Sequence, residues 1–150
     1  MAKYALDTNV FIEASRDASE KAAMVAFLQV SAPFTFLSAV VMQELAVGAR
    51  TTEQARQLDE TVFAPFTRCD RVFAPSRDAF FRSGKLLASV ANHEGWTAAR
   101  ENPSLLNDAL IAASCRERGI TLITHDTDYR RFRPFLTQWT AVAPWPSIGP

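Results

Sequence analysis

Short apolar runs alternate with amphipathic stretches along the chain, and their spacing predicts the order of its elements. Tyr4-Ala5-Leu6 reads as a strand running into the polar turn Asp7-Thr8-Asn9. Asp17, with Glu20 three residues on, has the pattern of a helix start. Ala22, Ala23, Ala26, Phe27 and Val30 follow at helical spacing until Pro33 stops the helix. Phe34-Thr35-Phe36-Leu37 is a second strand, and Ser38 caps a helix through Val47 that ends at Gly48. Thr51 and Gln54 open another helix, to Ala64. Pro65 then separates it from a third, weaker strand, Phe66-Thr67-Arg68-Cys69.

Pro75-Ser76 precedes a long helix with Ala79, Phe80, Leu86, Leu87, Val90 and Ala91 along its inner side. After the Asn102-Pro103 break, a helix runs from Leu105 to Arg118 and is closed by Gly119. Ile120-Thr121-Leu122-Ile123-Thr124 is the clearest strand. It ends in His125-Asp126-Thr127-Asp128, with a short helix over Tyr129 to Phe132 behind it. A last strand lies around Thr140 to Val142, and the proline-containing tail from residue 143 is irregular. Helices alternating with short strands predict an α/β fold, a three-layer α/β/α sandwich on a mostly parallel sheet of four or five strands. No repeat or linker divides residues 1–150, so a single domain is expected.

Composition narrows the class. Apolar residues are 48% of the chain and charged residues 21%, which excludes a disordered polymer. Two cysteines without a paired spacing, Cys69 and Cys115, speak against a disulfide scaffold or a zinc ribbon. Neither a signal peptide nor a membrane span is present in the pattern, so a soluble cytoplasmic protein is expected. Formal charge is zero overall but uneven: residues 1–64 carry five basic and eight acidic groups, net −3. Residues 65–150 carry eleven basic and eight acidic, net +3, and ten of the eleven are arginines, suited to bidentate phosphate contacts.

The informative residues are acids in the wrong places. Asp7 follows the first strand, where ligands sit in open α/β sheets, although an N-cap or turn role would also explain it. Glu44 shares a helix face with Val40, Val41 and Val47, so a cation must compensate it, either an arginine or a metal. Asp108 sits among Leu105, Ile111 and Ala112, in early turns that also favour negative charge on their own account. Asp126 and Asp128 close the clearest strand, where one of them can cap the short helix that follows. Two strand ends and two inner helix faces can converge at the carboxyl edge of a parallel sheet. Carboxylates gathered there repel one another unless a divalent cation intervenes, and oxygen donors without a histidine cluster favour Mg²⁺ or Mn²⁺ over zinc. His125 stands beside this edge and can reach a substrate, whereas His93 reads as a helix-surface residue.

With those residues in place, the chain resembles a PIN domain, and in particular the VapC group of toxin–antitoxin ribonucleases. Four segments carry the resemblance, in order: Leu6-Asp7-Thr8-Asn9-Val10-Phe11-Ile12, Ser38-Ala39-Val40-Val41-Met42-Gln43-Glu44-Leu45, Asn107-Asp108-Ala109-Leu110-Ile111-Ala112-Ala113, and Gly119 through Tyr129. The last has Tyr129 where phenylalanine is commoner. The resemblance implies a Mg²⁺- or Mn²⁺-dependent endoribonuclease, with Asp7, Glu44, Asp108 and Asp126 as catalytic, metal-binding acids and Asp128 as an auxiliary ligand. It places Thr8, Asn9 and Thr124 in support of those acids. It further implies a homodimer, a structured RNA substrate, a cognate antitoxin lying across the active-site groove, and hydrolysis leaving 5′-phosphate and 3′-hydroxyl ends. A PIN nuclease of RNA processing, or an inactive scaffold that binds RNA or protein, shares most of these features. A basic rim must hold RNA outside an acidic pocket, and Arg130, Arg131 and Arg133 directly follow the acidic strand end, though a solvated surface explains them too.

Two other phosphate chemistries fit poorly. A phosphotransferase built on a strand-end aspartate needs a second acid two residues on, where the chain has Asn9, and a receiver domain needs a late lysine, but none follows Lys85. Phe80, Phe81, Leu86, Leu87, Val90 and Trp96 occupy more than one face of their segment, which suits self-association. Phe27 and Leu28 would add to that surface.

Overall fold

The computed structural model describes residues 2–148. Five parallel strands, β1 (Lys3–Leu6), β2 (Thr35–Ser38), β3 (Val72–Phe73), β4 (Ile120–Ile123) and β5 (Ala141–Val142), form one sheet in the order β3-β2-β1-β4-β5. Parallel neighbours require crossovers, provided among the described residues by eight α-helices and, between β4 and β5, by a short 3₁₀ helix, Asp128–Phe132. The α-helices are α1 (Thr8–Arg16), α2 (Ala18–Ser31), α3 (Ala39–Gly48), α4 (Thr52–Leu58), α5 (Ala64–Thr67), α6 (Arg77–Glu94), α7 (Trp96–Arg100) and α8 (Leu105–Arg118). α6 packs along α8 and α1 along α2, giving the α/β/α sandwich. Leu6, Leu37, Leu122, Ile123 and Ile111 are fully buried between the layers. Among the described residues no helix is long and apolar enough to cross a membrane.

Local chemistry fixes the helix starts. The Asp17 carboxylate accepts from the N–H groups of Ser19 and Glu20, at 2.7 and 3.1 Å. Ser38, Thr51 and Ser76 hydroxyls cap α3, α4 and α6 in the same way, taking donors the helix cannot satisfy itself. Gly119 adopts φ 63° and ends α8, a left-handed turn in which a side chain would be strained.

Several expectations are corrected. The turn expected at Thr8-Asn9 is the start of α1, with Asp7 as its N-cap. The strand expected at Phe66–Cys69 is displaced to Val72–Phe73, because Phe66 and Thr67 belong to α5. Pro65 does not break the chain's helical course there. It lies in the first turn of α5, after a π-helical stretch Asp59–Phe63, where its missing N–H costs little. Phe80 does not face inward but is 58% exposed, while Ala79, Ser83, Leu86 and Val90 form the buried line of α6. Phe27, conversely, is buried, with its ring 5.4 Å from those of Tyr4 and Trp145, and is no part of an outer surface. From Ala143 to Ile148 the chain has neither helix nor strand.

Candidate active site

The register of the two central strands builds the site. Leu6 pairs with Ile123, so Asp7 and Thr124 leave the sheet side by side. The Asp7 N–H donates to the Ile123 carbonyl at 2.9 Å, extending the ladder to the carboxyl edge. Asp7 is buried, and three donors hold its carboxylate. Oδ1 accepts from the Thr8 N–H at 2.9 Å; Oδ2 accepts from the Thr124 hydroxyl at 2.7 Å and the Asn9 amide at 3.0 Å. The same Asn9 amide reaches Thr124 Oγ1 at 3.0 Å, and Asn9 Oδ1 accepts from the His125 N–H at 3.0 Å. Thr8, Asn9 and Thr124 are therefore the residues that orient Asp7.

Glu44 is half-buried on α3, with Val40 and Val41 buried beside it, but Val47 is exposed rather than part of an apolar stripe. Among the described residues no arginine pairs with it. Its Oε2 accepts from the Thr8 hydroxyl and its Oε1 from the Asn107 amide at 3.0 Å. Asp108, in the first turn of α8, is buried and receives the Tyr129 hydroxyl at 3.4 Å. Asp126 lies just ahead of the short helix Asp128–Phe132, its Oδ1 accepting from the Asp128 N–H at 2.7 Å in a local turn, while its own N–H donates to Thr124 Oγ1 at 2.9 Å. Asp128 itself is half-buried at that helix start.

Electrostatics ties the acids together. Burial pushes the Asp108 carboxyl up to about 7, with the charges of Asp7, Asp126 and Glu44 adding to the push. Asp7 is also raised, chiefly by burial, against the lowering effect of its bonds from Thr124 and Thr8. The Tyr129 hydroxyl is held neutral, raised well above its ordinary range by burial and by the charges of Asp7 and Asp108. None of the four acids takes part in an ion pair among the described residues. Nor, among the described residues, do three or more His, Cys, Asp or Glu side chains meet closely enough to hold a metal ion. The ready-formed cluster expected from the sequence is thus corrected to a looser group of coupled acids. The reason is visible in the bonds: Glu44 and Asp126 are each drawn to protein donors, and like charges stand apart. The donor chemistry fits a hard divalent cation, because buried oxygen anions without a protein counter-ion lack only the positive charge.

Residues 4–133 match the family model of the PIN domain. The chain belongs to the PIN-domain family. The structure of this PIN domain is similar to that of DNA-bound VapBC from Salmonella typhimurium, with a TM-score of 0.68 at 20% identity, covering 95% of this chain and 98% of that one. A toxin–antitoxin complex from Klebsiella pneumoniae gives 0.63 at 22% identity, with 95% and 98% covered. FitAcB from Neisseria gonorrhoeae gives 0.62 at 19% identity over the same shares. No curated protein matches the sequence.

Around the acids, the PIN domain carries two concavities. A groove of about 540 Å³ runs between α1, α3 and α4, with Phe11, Ile12, Leu45, Leu58 and Val62 on its walls and Glu44 at its margin. A smaller cavity of about 120 Å³ lies at the ends of β4 and β5, bordered by His125, Asp126, Arg130 and Arg133. The three arginines expected to act together are separated. Arg131 turns to α6, its Nε 3.5 Å from Glu94. Sequence reasoning missed what Asn107 and Tyr129 do, although both lie inside motif segments. An amide next to a buried acid, and a tyrosine where phenylalanine is commoner, were the available signals.

Proposed function

We propose that this PIN domain is a metal-dependent endoribonuclease and the toxin of a toxin–antitoxin pair. The observation that carries the reading is the grouping of Asp7, Glu44, Asp108 and Asp126 at one sheet edge without a protein cation among the described residues, where burial, helped by the charges of the other three, lifts Asp108 to about 7. A scaffold has no use for such repulsion. Asp7, Glu44, Asp108 and Asp126 would hold Mg²⁺ or Mn²⁺, with Asp128 as an auxiliary oxygen donor. When bound, such an ion polarises the phosphodiester and lowers the pKa of nearby water, which allows hydrolysis to a 5′-phosphate and a 3′-hydroxyl.

The chain's own residues prepare that chemistry. Thr124, Asn9 and the Thr8 N–H fix both oxygens of Asp7. Thr8 and Asn107 fix Glu44, and Tyr129 donates to Asp108. Hydrogen bonds of this kind set ligand orientation and basicity. The toxin role is supported by the similarity to VapBC from Salmonella typhimurium and to a toxin–antitoxin complex from Klebsiella pneumoniae, and by the groove between α1, α3 and α4. Its apolar walls and acidic margin suit an amphipathic antitoxin segment with a basic residue that reaches Glu44. A homodimer in the cytoplasm is part of the same reading, supported by exposed Phe80, Phe81, Trp96 and Leu106.

The test is cleavage of a structured RNA by the wild type with Mg²⁺ or Mn²⁺, with EDTA, and by Asp7→Asn or Asp108→Asn. Cleavage is expected only for the wild type with metal, leaving 5′-phosphate ends. Full activity in EDTA, or a 2′,3′-cyclic phosphate product, would refute the mechanism. Growth arrest on expression, relieved by the product of an adjacent small gene, tests the toxin role separately.

A further inference from the structure

The small cavity beside the acids is bordered by two arginines that the acid network leaves free. It lies where β4 and β5 end, with Thr124, His125, Asp126 and Thr127 on one border and Arg130 and Arg133 on another. The short helix Asp128–Phe132 is of the 3₁₀ type, in which residues three apart eclipse. That geometry puts Arg130 and Arg133 on one side, and the Arg133 N–H donates to the Arg130 carbonyl at 3.2 Å across the turn. Arg131, between them, faces α6 and is engaged by Glu94. Neither Arg130 nor Arg133 takes part in an ion pair among the described residues, and both are exposed.

The geometry points to a phosphate subsite in this cavity, where Arg130 and Arg133 hold the phosphodiester next to the one over the acids. The inference rests on the nuclease reading and deepens it. At about 120 Å³ the cavity is well below the ~300–1,000 Å³ of sites that enclose a whole small molecule, so it takes a group rather than a complete ligand. Guanidinium groups match phosphate oxygens in a bidentate fork. Asp126 belongs both to this cavity and to the acid network, so an occupant reaching from one to the other must carry anionic groups at short, regular intervals. A nucleic-acid backbone does; an isolated acidic side chain does not. The subsite thereby fixes which way the strand crosses the acids.

The double variant Arg130→Ala/Arg133→Ala tests this against Arg77→Ala. Arg77 lies at the start of α6, where Ser76 bonds to Glu117 at the end of α8, toward the opposite edge of the sheet. Binding is measured in EDTA on an Asp7→Asn background, using a short fluorescein-labelled single-stranded oligoribonucleotide. The double variant is expected to weaken binding at least tenfold and to reduce the slope of log affinity against log salt by ~0.7, the value for one phosphate contact. Arg77→Ala is expected to change neither. With metal and the Asp7 enzyme, the double variant should raise KM while leaving kcat nearly unchanged. Unchanged RNA affinity in the double variant, or equal losses in Arg77→Ala, overturns the subsite. So does inorganic phosphate that binds there as tightly as the oligonucleotide, or a loss confined to binding of a partner protein. Failure of the wild type to cleave with metal would instead refute the nuclease reading, and the EDTA binding arm would still judge the subsite.

Discussion

The Thr124 hydroxyl donates to Asp7 Oδ2 at 2.7 Å, although 117 residues separate the two in the chain. Thr124 Oγ1 in turn accepts from the Asn9 amide at 3.0 Å and from the Asp126 N–H at 2.9 Å, so its single donor and both lone pairs are used. One buried hydroxyl thus links two strand ends and two of the acids.

Replacing that hydroxyl with a methyl group leaves the shape of the side chain intact. Thr124→Val is expected to lower metal affinity or activity by about 10–100-fold, as loss of an orienting partner does. Thr124→Ser should retain most of both. Calorimetric titration with Mn²⁺ and RNA cleavage assays provide the check, and equal behaviour of the two variants would assign Thr124 a packing role alone.

Asp108 gives the metal-free protein a distinctive pH dependence. Its folded pKa, about 7, lies above its ordinary 3.8, so the folded state keeps a proton that the unfolded chain releases between those values. Stability in EDTA therefore falls as pH rises through that window, with Asp7 acting in the same direction. Denaturation midpoints in EDTA should be higher at pH 5 than at pH 8. Asp108→Asn should flatten this difference and stabilise the protein at pH 8, and millimolar Mg²⁺ should do the same for the wild type.

Asn107 holds Glu44 Oε1 from the neighbouring helix. Asn107→Ala removes a hydrogen bond to a charged group, worth about 1.5–3 kcal/mol. The Thr8 hydroxyl remains on Oε2, so the expected loss in activity is about tenfold, with the fold retained. Asn107→Asp places a carboxylate against Glu44 and should cost more. Circular dichroism alongside cleavage rates separates the two effects.

Self-association is expected to depend on the outer residues of α6 to α8. Phe81 is 67% exposed and Trp96 60%. Light scattering should return twice the 16.6 kDa of the chain, and Phe81→Asp/Trp96→Asp should return one chain mass. A wild type that is monomeric at tens of micromolar concentration removes the dimer.

How far the sequence foretold the molecule depended on whether a local pattern carried the information. The span of α8 follows from its apolar periodicity and the closing Gly119, both local. β3 has only two residues, too few to show alternation, and the apolar Phe66 nearby was used in a helix instead. α1 was concealed because Asp7-Thr8-Asn9 has the composition of a turn, and an N-cap looks the same. The acids were legible because a charge on an apolar face is an anomaly without any partner in view. Asn107 and Tyr129 were not, since their bonds cross 63 and 21 residues and leave no periodic trace. The division among Arg130, Arg131 and Arg133 depends on the 3₁₀ turn and on Glu94, neither of which the residues announce in order.

The pairing of β1 with β4 also sets a schedule for synthesis. A ribosome releases Asp7 and Glu44 first, and Asp108, Thr124 and Asp126 emerge only 64 or more residues after Glu44. Until β4 docks beside β1, Asp7 lacks the Thr124 bond and its acidic neighbours, and the center of the sheet is open. A growing chain therefore cannot assemble the Asp7–Thr124–Asp126 arrangement, or any chemistry that depends on it, before β4 has been made.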